Sequence, residues 1–175
     1  LIVGEFPELQ GTMGRWYALR KGVPRAEADA IAEHYLPRHA GDDLPKSALG
    51  ARIAIADRAD TLVGCFGIGL SPSGSADPFA LRRNALGIIH LGISGPVDVD
   101  LRILIPAAYE QFPAGRLEAL GAVEERLSAF FLGRLESYFQ LKRYAHDGVT
   151  ACLRAWEENP TSLRDLAARV AAVSE

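Results

Sequence analysis

Residues 46–66, KSALGARIAIADRADTLVGCF, carry the clearest structural pattern of this chain. When these residues are placed at 100° each on a helical wheel, the apolar side chains fill one broad arc. The arc consists of Leu49, Ile53, Ile55, Ala56, Ala59, Leu62, Val63 and Phe66. The pattern predicts a long amphipathic helix that buries this arc and ends at the glycines after Phe66.

Two acidic residues interrupt the apolar arc. Asp60 falls inside it and Asp57 lies at its edge. A carboxylate on a buried face needs a partner, because burying it bare is very costly. The next predicted helix, with Asp77 as cap and Pro78 at its first position, carries Arg82 among apolar residues. We therefore expect a buried ion pair between Asp60 and Arg82 that joins the two helices.

Helical periodicity extends through the rest of the chain, and no segment alternates as a β-strand would. Further helices are predicted over residues 8–21, 24–35, 77–93, 98–111 and 116–144, with one more ending at Glu158 and another starting at Ser162. The helix over 98–111 should bend at Pro106. A helix over 116–144 would be roughly 40 Å long, so we expect it either to bridge two lobes or to lean on chain that this sequence does not include. These patterns predict an all-α protein.

Composition describes an ordinary globular domain of 175 residues, with 49% apolar and 23% charged residues. The net charge of −3 means that any nucleic-acid contact must come from a local basic patch. No apolar run is long enough to cross a membrane, and the first residues lack the charged region of a signal peptide. They begin in the middle of an apolar pattern, which indicates a fragment. We expect a cytoplasmic protein with no membrane or DNA partner.

The four histidines do not suggest a metal site. Only His34 and His39 are near neighbours, and Pro37 breaks the helix that would align them. Cys65 and Cys152 match no metal-binding spacing. The sequence allows a disulfide between them but favours a reducing compartment, because a domain of this size does not need the crosslink. We predict no bound metal and no catalytic residue.

Three blocks of sequence together carry a specific resemblance. The first is EFPELQGTMG at 5–14, and the second is HYLPR at 34–38 with AGDDLP at 40–45. The third runs from AIADRADTLVG at 54–64 through FGIG at 66–69 to DPFALRR at 77–83. Their order and spacing resemble the HD-like region of the β subunit of bacterial heterotetrameric glycyl-tRNA synthetase. Residues 131–139, 144–153 and 160–174 resemble the helical stretch that follows it.

The resemblance implies an HD-domain-like helical bundle over residues 1–112 and a C-terminal helical extension over 113–175. It also implies an α2β2 enzyme that charges glycine tRNA with glycine. The α subunit would hold the class II catalytic site and use ATP, and the β subunit would bind tRNA. No cofactor is then expected in this chain.

Asp57, in its Ala-Asp-Arg setting, resembles the last metal-binding aspartate of HD phosphohydrolases. The His-Asp pair that should precede it is missing, so the resemblance implies a degenerate site. The candidate tRNA contacts are Arg38, Arg52, Arg58, Arg82 and Arg83. Two other interpretations stay open at this point: an HD-type metal-dependent phosphohydrolase, and a helical protein-interaction module that uses an exposed apolar face of 116–144.

Overall fold

A computed structural model of the chain describes residues 2–39, 41–72, 77 and 79–174. Within these ranges the chain forms nine α-helices and no strand, which confirms the all-α prediction. The helices are α1 (Ile2–Glu5), α2 (Thr12–Arg20), α3 (Arg25–Glu33), α4 (Ala48–Gly67), α5 (Leu81–Ser94), α6 (Leu101–Tyr109), α7 (Leu120–Leu141), α8 (His146–Glu158) and α9 (Leu163–Val173). A short 3-10 turn, Pro7–Leu9, connects α1 to α2.

Helix α4 is the centre of the fold, because α3, α5, α6 and α7 all pack against it. Its buried side overlaps the predicted arc only in part, because Ile55, Ala59, Leu62, Val63 and Phe66 are buried as predicted. Leu49 and Ile53 are 39% and 40% exposed, whereas Ala51 and Ala54 are fully buried. Small residues allow neighbouring helices to approach closely, so they mark the true inner face of this helix.

Helix α7 covers the core from the other side. Leu127, Phe131 and Leu135 are buried, as the apolar stripe predicts. The helix is shorter than predicted, because residues 116–119 do not join it. Instead, the Glu118 N–H donates to the Gly67 carbonyl at 2.8 Å and ties this segment to the end of α4.

The burial of α7 removes the basis for an interaction module that uses an exposed apolar face of residues 116–144. One hydrophobic core runs from α4 to α9, across the predicted division between residues 112 and 113. That division stays a prediction.

Local signals in the sequence explain several helix ends. The Ser162 hydroxyl accepts the Asp165 N–H at 3.2 Å and caps α9 as its position predicts. Pro106 lies inside α6. Pro78 lies outside the described residues.

None of the described helices is both long enough and apolar enough to span a bilayer.

Candidate nucleic-acid interface

A small cleft brings together two of the predicted tRNA contacts. It lies between the loop after α3, one face of α5 and the end of α7, and we call it the basic cleft. Its lining residues are Pro37, Arg38, His39, Arg83, Leu86, Gly87, His90, Tyr138 and Leu141. Its volume of about 90 Å³ is far below the roughly 300–1,000 Å³ of small-molecule sites. A cleft of this size suits a phosphate group at the surface better than an enclosed substrate.

Helix α5 contributes Arg83, Gly87 and His90 from a single face, because they follow one another at intervals of four and three residues. The start of this helix is held by Asp77. Its carboxylate accepts the Leu81 N–H at 2.7 Å and the next backbone N–H at 3.0 Å. Helix α5 therefore begins at Leu81, after Ala80, and not directly after Asp77 as predicted, although the Asp77 carboxylate still accepts the first N–H groups of the helix.

The loop contributes Arg38, which is held in place by Asp42. The Arg38 Nε lies 3.0 Å from Asp42 Oδ2, and the Arg38 backbone N–H donates to the same oxygen at 2.8 Å. These hydrogen bonds lower the pKa of Asp42 to about 2 and raise the pKa of Arg38. The Arg38 side chain is still 49% exposed, so it can meet a ligand while its orientation is fixed.

Helix α7 contributes an aromatic wall and another cation. The Tyr138 ring packs edge-on against the His90 ring with centroids 5.0 Å apart, and Lys142 Nζ lies 5.9 Å from the Tyr138 centroid. Burial, and then the charge of Lys142, lower the pKa of His90. His90 is therefore neutral at neutral pH, and the lasting positive charges here belong to Arg38, Arg83 and Lys142.

Arg58 is not an RNA contact, because it is buried with only 7% of its surface exposed. Its guanidinium donates to the carbonyls of His34, Tyr35, Pro37 and Ala54 at 2.9–3.3 Å. Burial lowers the pKa of Arg58, with Asp57 opposing that shift. Arg58 therefore anchors the loop that forms one wall of the basic cleft.

Gly87 makes room for this arginine. A Cβ at position 87 would lie 2.5 Å from Arg58 Nε and 2.9 Å from its Cδ. The close approach of α5 to Arg58 therefore requires a glycine.

The predicted Asp60–Arg82 ion pair is wrong. Asp60 is exposed, beside α6, in a groove that it shares with Asp57, Leu104 and Gln111. No ion pair joins it to Arg82 within the described part of the chain. The apolar arc placed Asp60 inside the core because Leu49 and Ile53, which flank it on the helical wheel, are themselves exposed. Arg58 is the buried charge that joins α4 to its neighbours instead.

Arg52 lies away from the basic cleft. It lines a wider, mostly apolar groove of about 630 Å³ between α4, α6 and α9. Asp98, Asp100 and Asp165 line the same groove, and Asp100 pairs with Arg102 at 2.6 Å. Acidic neighbours would repel a phosphate backbone, so this position does not favour the predicted RNA contact for Arg52.

The histidines do not converge with Asp57, which is exposed on the α6 side of α4. Among the described residues, no group of three or more His, Cys, Asp or Glu side chains could hold a metal ion together. Cys65 and Cys152 are both free thiols. These positions do not favour the phosphohydrolase interpretation.

The lining residues of the basic cleft, from Pro37 to Leu141, and the neighbouring Lys142 fall within one family match. The family model described as "Glycyl-tRNA synthetase beta subunit" matches residues 1–154. The chain belongs to the glycyl-tRNA synthetase β-subunit family.

Curated relatives carry the same name along almost the whole chain. The glycine–tRNA ligase β subunit of Janthinobacterium sp. (strain Marseille) is 47% identical over 172 residues, which cover 98% of this chain and 24% of the relative. The Desulforamulus reducens subunit is 44% identical over 176 residues, with 99% and 25% covered. The chain thus spans about a quarter of the length of these β subunits.

Sequence reasoning identified Arg38 and Arg83 but missed His90, Tyr138 and Lys142 as neighbours of theirs. These residues come from separate helices, and only the packing of α7 on α5 brings them together. One signal was available within α5, where Arg83, Gly87 and His90 share a helical face. The sequence contained no comparable signal linking α5 to the end of α7.

Proposed function

We propose that this chain is a tRNA-contacting and architectural part of a glycine–tRNA ligase β subunit, and that it has no active site of its own. The observation that carries this proposal is the basic cleft. Arg38 and Arg83 line one small depression from two separate segments, and Lys142 lies beside it, against the Tyr138 ring of its lining. Phosphate binding requires clustered cations of this kind, and a chain with a net charge of −3 must provide them locally.

The proposed partners are glycine tRNA and the α subunit of an α2β2 ligase. In this proposal the α subunit binds ATP and carries the catalytic site, and the whole enzyme works in the cytoplasm. The naming of the relatives as β subunits of glycine–tRNA ligase supports this assignment. An HD-like fold over residues 1–112, with Asp57 as its degenerate metal position, belongs to the same proposal.

A binding measurement with matched variants tests the role of the cleft. Arg38→Ala with Arg83→Ala removes two cleft cations, whereas Arg154→Ala with Arg169→Ala removes two exposed cations from α8 and α9. At about 1 kcal/mol for each contact near water, the cleft variant should bind glycine tRNA on the order of thirty-fold more weakly. The control variant should lose little affinity. Equal losses in the two variants would mean that the cleft is not the contact site.

A further inference from the structure

Two large aromatic side chains stand exposed on α2, and neither of them lines the basic cleft. Trp16 is 45% exposed and Tyr17 is 49% exposed, and their ring centroids lie 5.2 Å apart. The other tryptophan of the chain, Trp156, is only 5% exposed. Exposed aromatic patches on a globular protein typically mark an interaction site.

The inner face of α2 explains why these rings point outwards. Helix α2 packs against α3, its residue Ala18 is buried, and a Cβ at Gly14 would lie 2.9 Å from the Ile31 side chain. Such close packing leaves no space for a tryptophan or a tyrosine between the two helices. The two rings therefore lie on the outer side of α2, where a ligand can reach them.

The charges around the rings are not neutralised. The Arg20 guanidinium lies over the Trp16 ring, 4.8 Å from its centroid, and Lys21 follows at the end of the helix. Among the described residues, no carboxylate pairs with either of these two cations. Arg15, by contrast, forms an ion pair with Asp29, which also pairs with Arg25.

We propose that Trp16, Tyr17, Arg20 and Lys21 form a stacking platform for unpaired nucleotides of RNA. Aromatic rings accept any base by stacking, and neighbouring cations bind the phosphates between the bases. A nucleic acid offers bases to the two rings and phosphates to the two cations. An apolar protein partner would instead bury Arg20 and Lys21 without a counter-charge. The platform rests on the proposed function and adds a second contact to the same RNA, one that uses bases instead of phosphates alone.

Tryptophan fluorescence offers a direct test with a short single-stranded RNA oligonucleotide. Stacking on the exposed Trp16 should quench its emission, and the buried Trp156 should respond little. Trp16→Ala should abolish the quenching and weaken oligonucleotide binding at least about five-fold, and Trp16→Phe should retain most of the affinity. Ile103→Ala, at a 70% exposed apolar position on α6, is the matched control and should leave binding unchanged. Circular dichroism melting checks that each variant is folded.

The outcomes separate this proposal from the proposed function. If Trp16→Ala leaves oligonucleotide binding intact while the Arg38/Arg83 variant loses tRNA, the platform is wrong and the cleft stands. If Trp16→Ala weakens oligonucleotide binding and the cleft variant still binds tRNA normally, the cleft is wrong and the platform stands. If Trp16→Ala changes only self-association in sedimentation, the rings form a protein interface and the platform proposal fails.

Discussion

Replacing Arg58 by methionine tests how the wall of the basic cleft is held. Methionine retains an unbranched apolar side chain but removes every N–H donor of the guanidinium. The carbonyls of His34, Tyr35 and Pro37 would then lose the hydrogen bonds that Arg58 gives them. Among the described residues no backbone N–H donates to these three oxygens. The Ala54 carbonyl lies inside α4, where the helical ladder provides another donor.

The size of the effect follows from these three carbonyls. An unsatisfied buried acceptor costs about 1–3 kcal/mol, and this half-buried loop favours the lower end because water can reach part of it. We therefore expect a loss of about 3 kcal/mol in the free energy of unfolding. For a chain of this size, each kcal/mol lowers Tm by about 2–4 °C, which gives a decrease of roughly 6–12 °C.

Urea and thermal unfolding measure this loss, with Arg52→Met as the matched control. Arg52 lies on the same helix but is exposed, so its replacement should change the free energy of unfolding by no more than about 0.5 kcal/mol. If the two variants unfold at the same urea concentration and temperature, the hydrogen bonds of Arg58 do not hold the loop, and the account of the cleft wall is wrong.

Other changes to the walls of the cleft give further predictions. Gly87→Ala should destabilise the chain by about 1–3 kcal/mol in urea unfolding, because the new methyl group would displace Arg58; an unchanged midpoint would show that the packing is looser than described. Asp77→Ala should lower Tm through a loss of about 1 kcal/mol, since two N–H groups at the start of α5 lose their acceptor; an unaltered melting curve would contradict that cap. Asp42→Asn should alter acid unfolding. The folded pKa of Asp42, about 2, lies below its ordinary value, so its stabilising contribution is complete above that ordinary value and is lost as the pH falls through about 2. Stability of the Asn variant should therefore depend less on pH between about 4 and 2, and an identical acid transition in both proteins would exclude a role for Asp42.

The positions of the helices could be predicted because breakers and periodicity are local. Helix α4 was expected over 46–66 and runs from Ala48 to Gly67. The buried side of that helix could be predicted only in part, since the large apolar residues Leu49 and Ile53 extend the predicted arc onto an exposed side. Ala51, Ala54 and Arg58 mark the inner face because other elements approach closely there, and a hydrophobicity pattern gives such residues little weight.

The candidate site was predicted only in part for a similar reason. Arg38 and Arg83 could be singled out as basic residues in motif-bearing segments. Arg58, in the same motif, is buried, and Arg52 lies among acids. Whether an arginine on α4 reaches solvent depends on tertiary packing, which motif spacing does not encode. Lys142 and Tyr138 enter the site because α7 ends beside α5.

The salt dependence of glycine tRNA binding reports how many phosphates the basic cleft contacts. Arg83→Ala with Lys142→Ala removes one cation that lines the basic cleft and one that lies beside it, without exposing a paired carboxylate, since Asp42 keeps its arginine. Each lost phosphate contact should reduce the slope of log affinity against log salt concentration by about 0.7–0.9. We predict that the slope becomes shallower by roughly 1.5 in this variant and stays unchanged in the Arg154/Arg169 control. Parallel lines for the wild-type chain and the cleft variant would contradict the account.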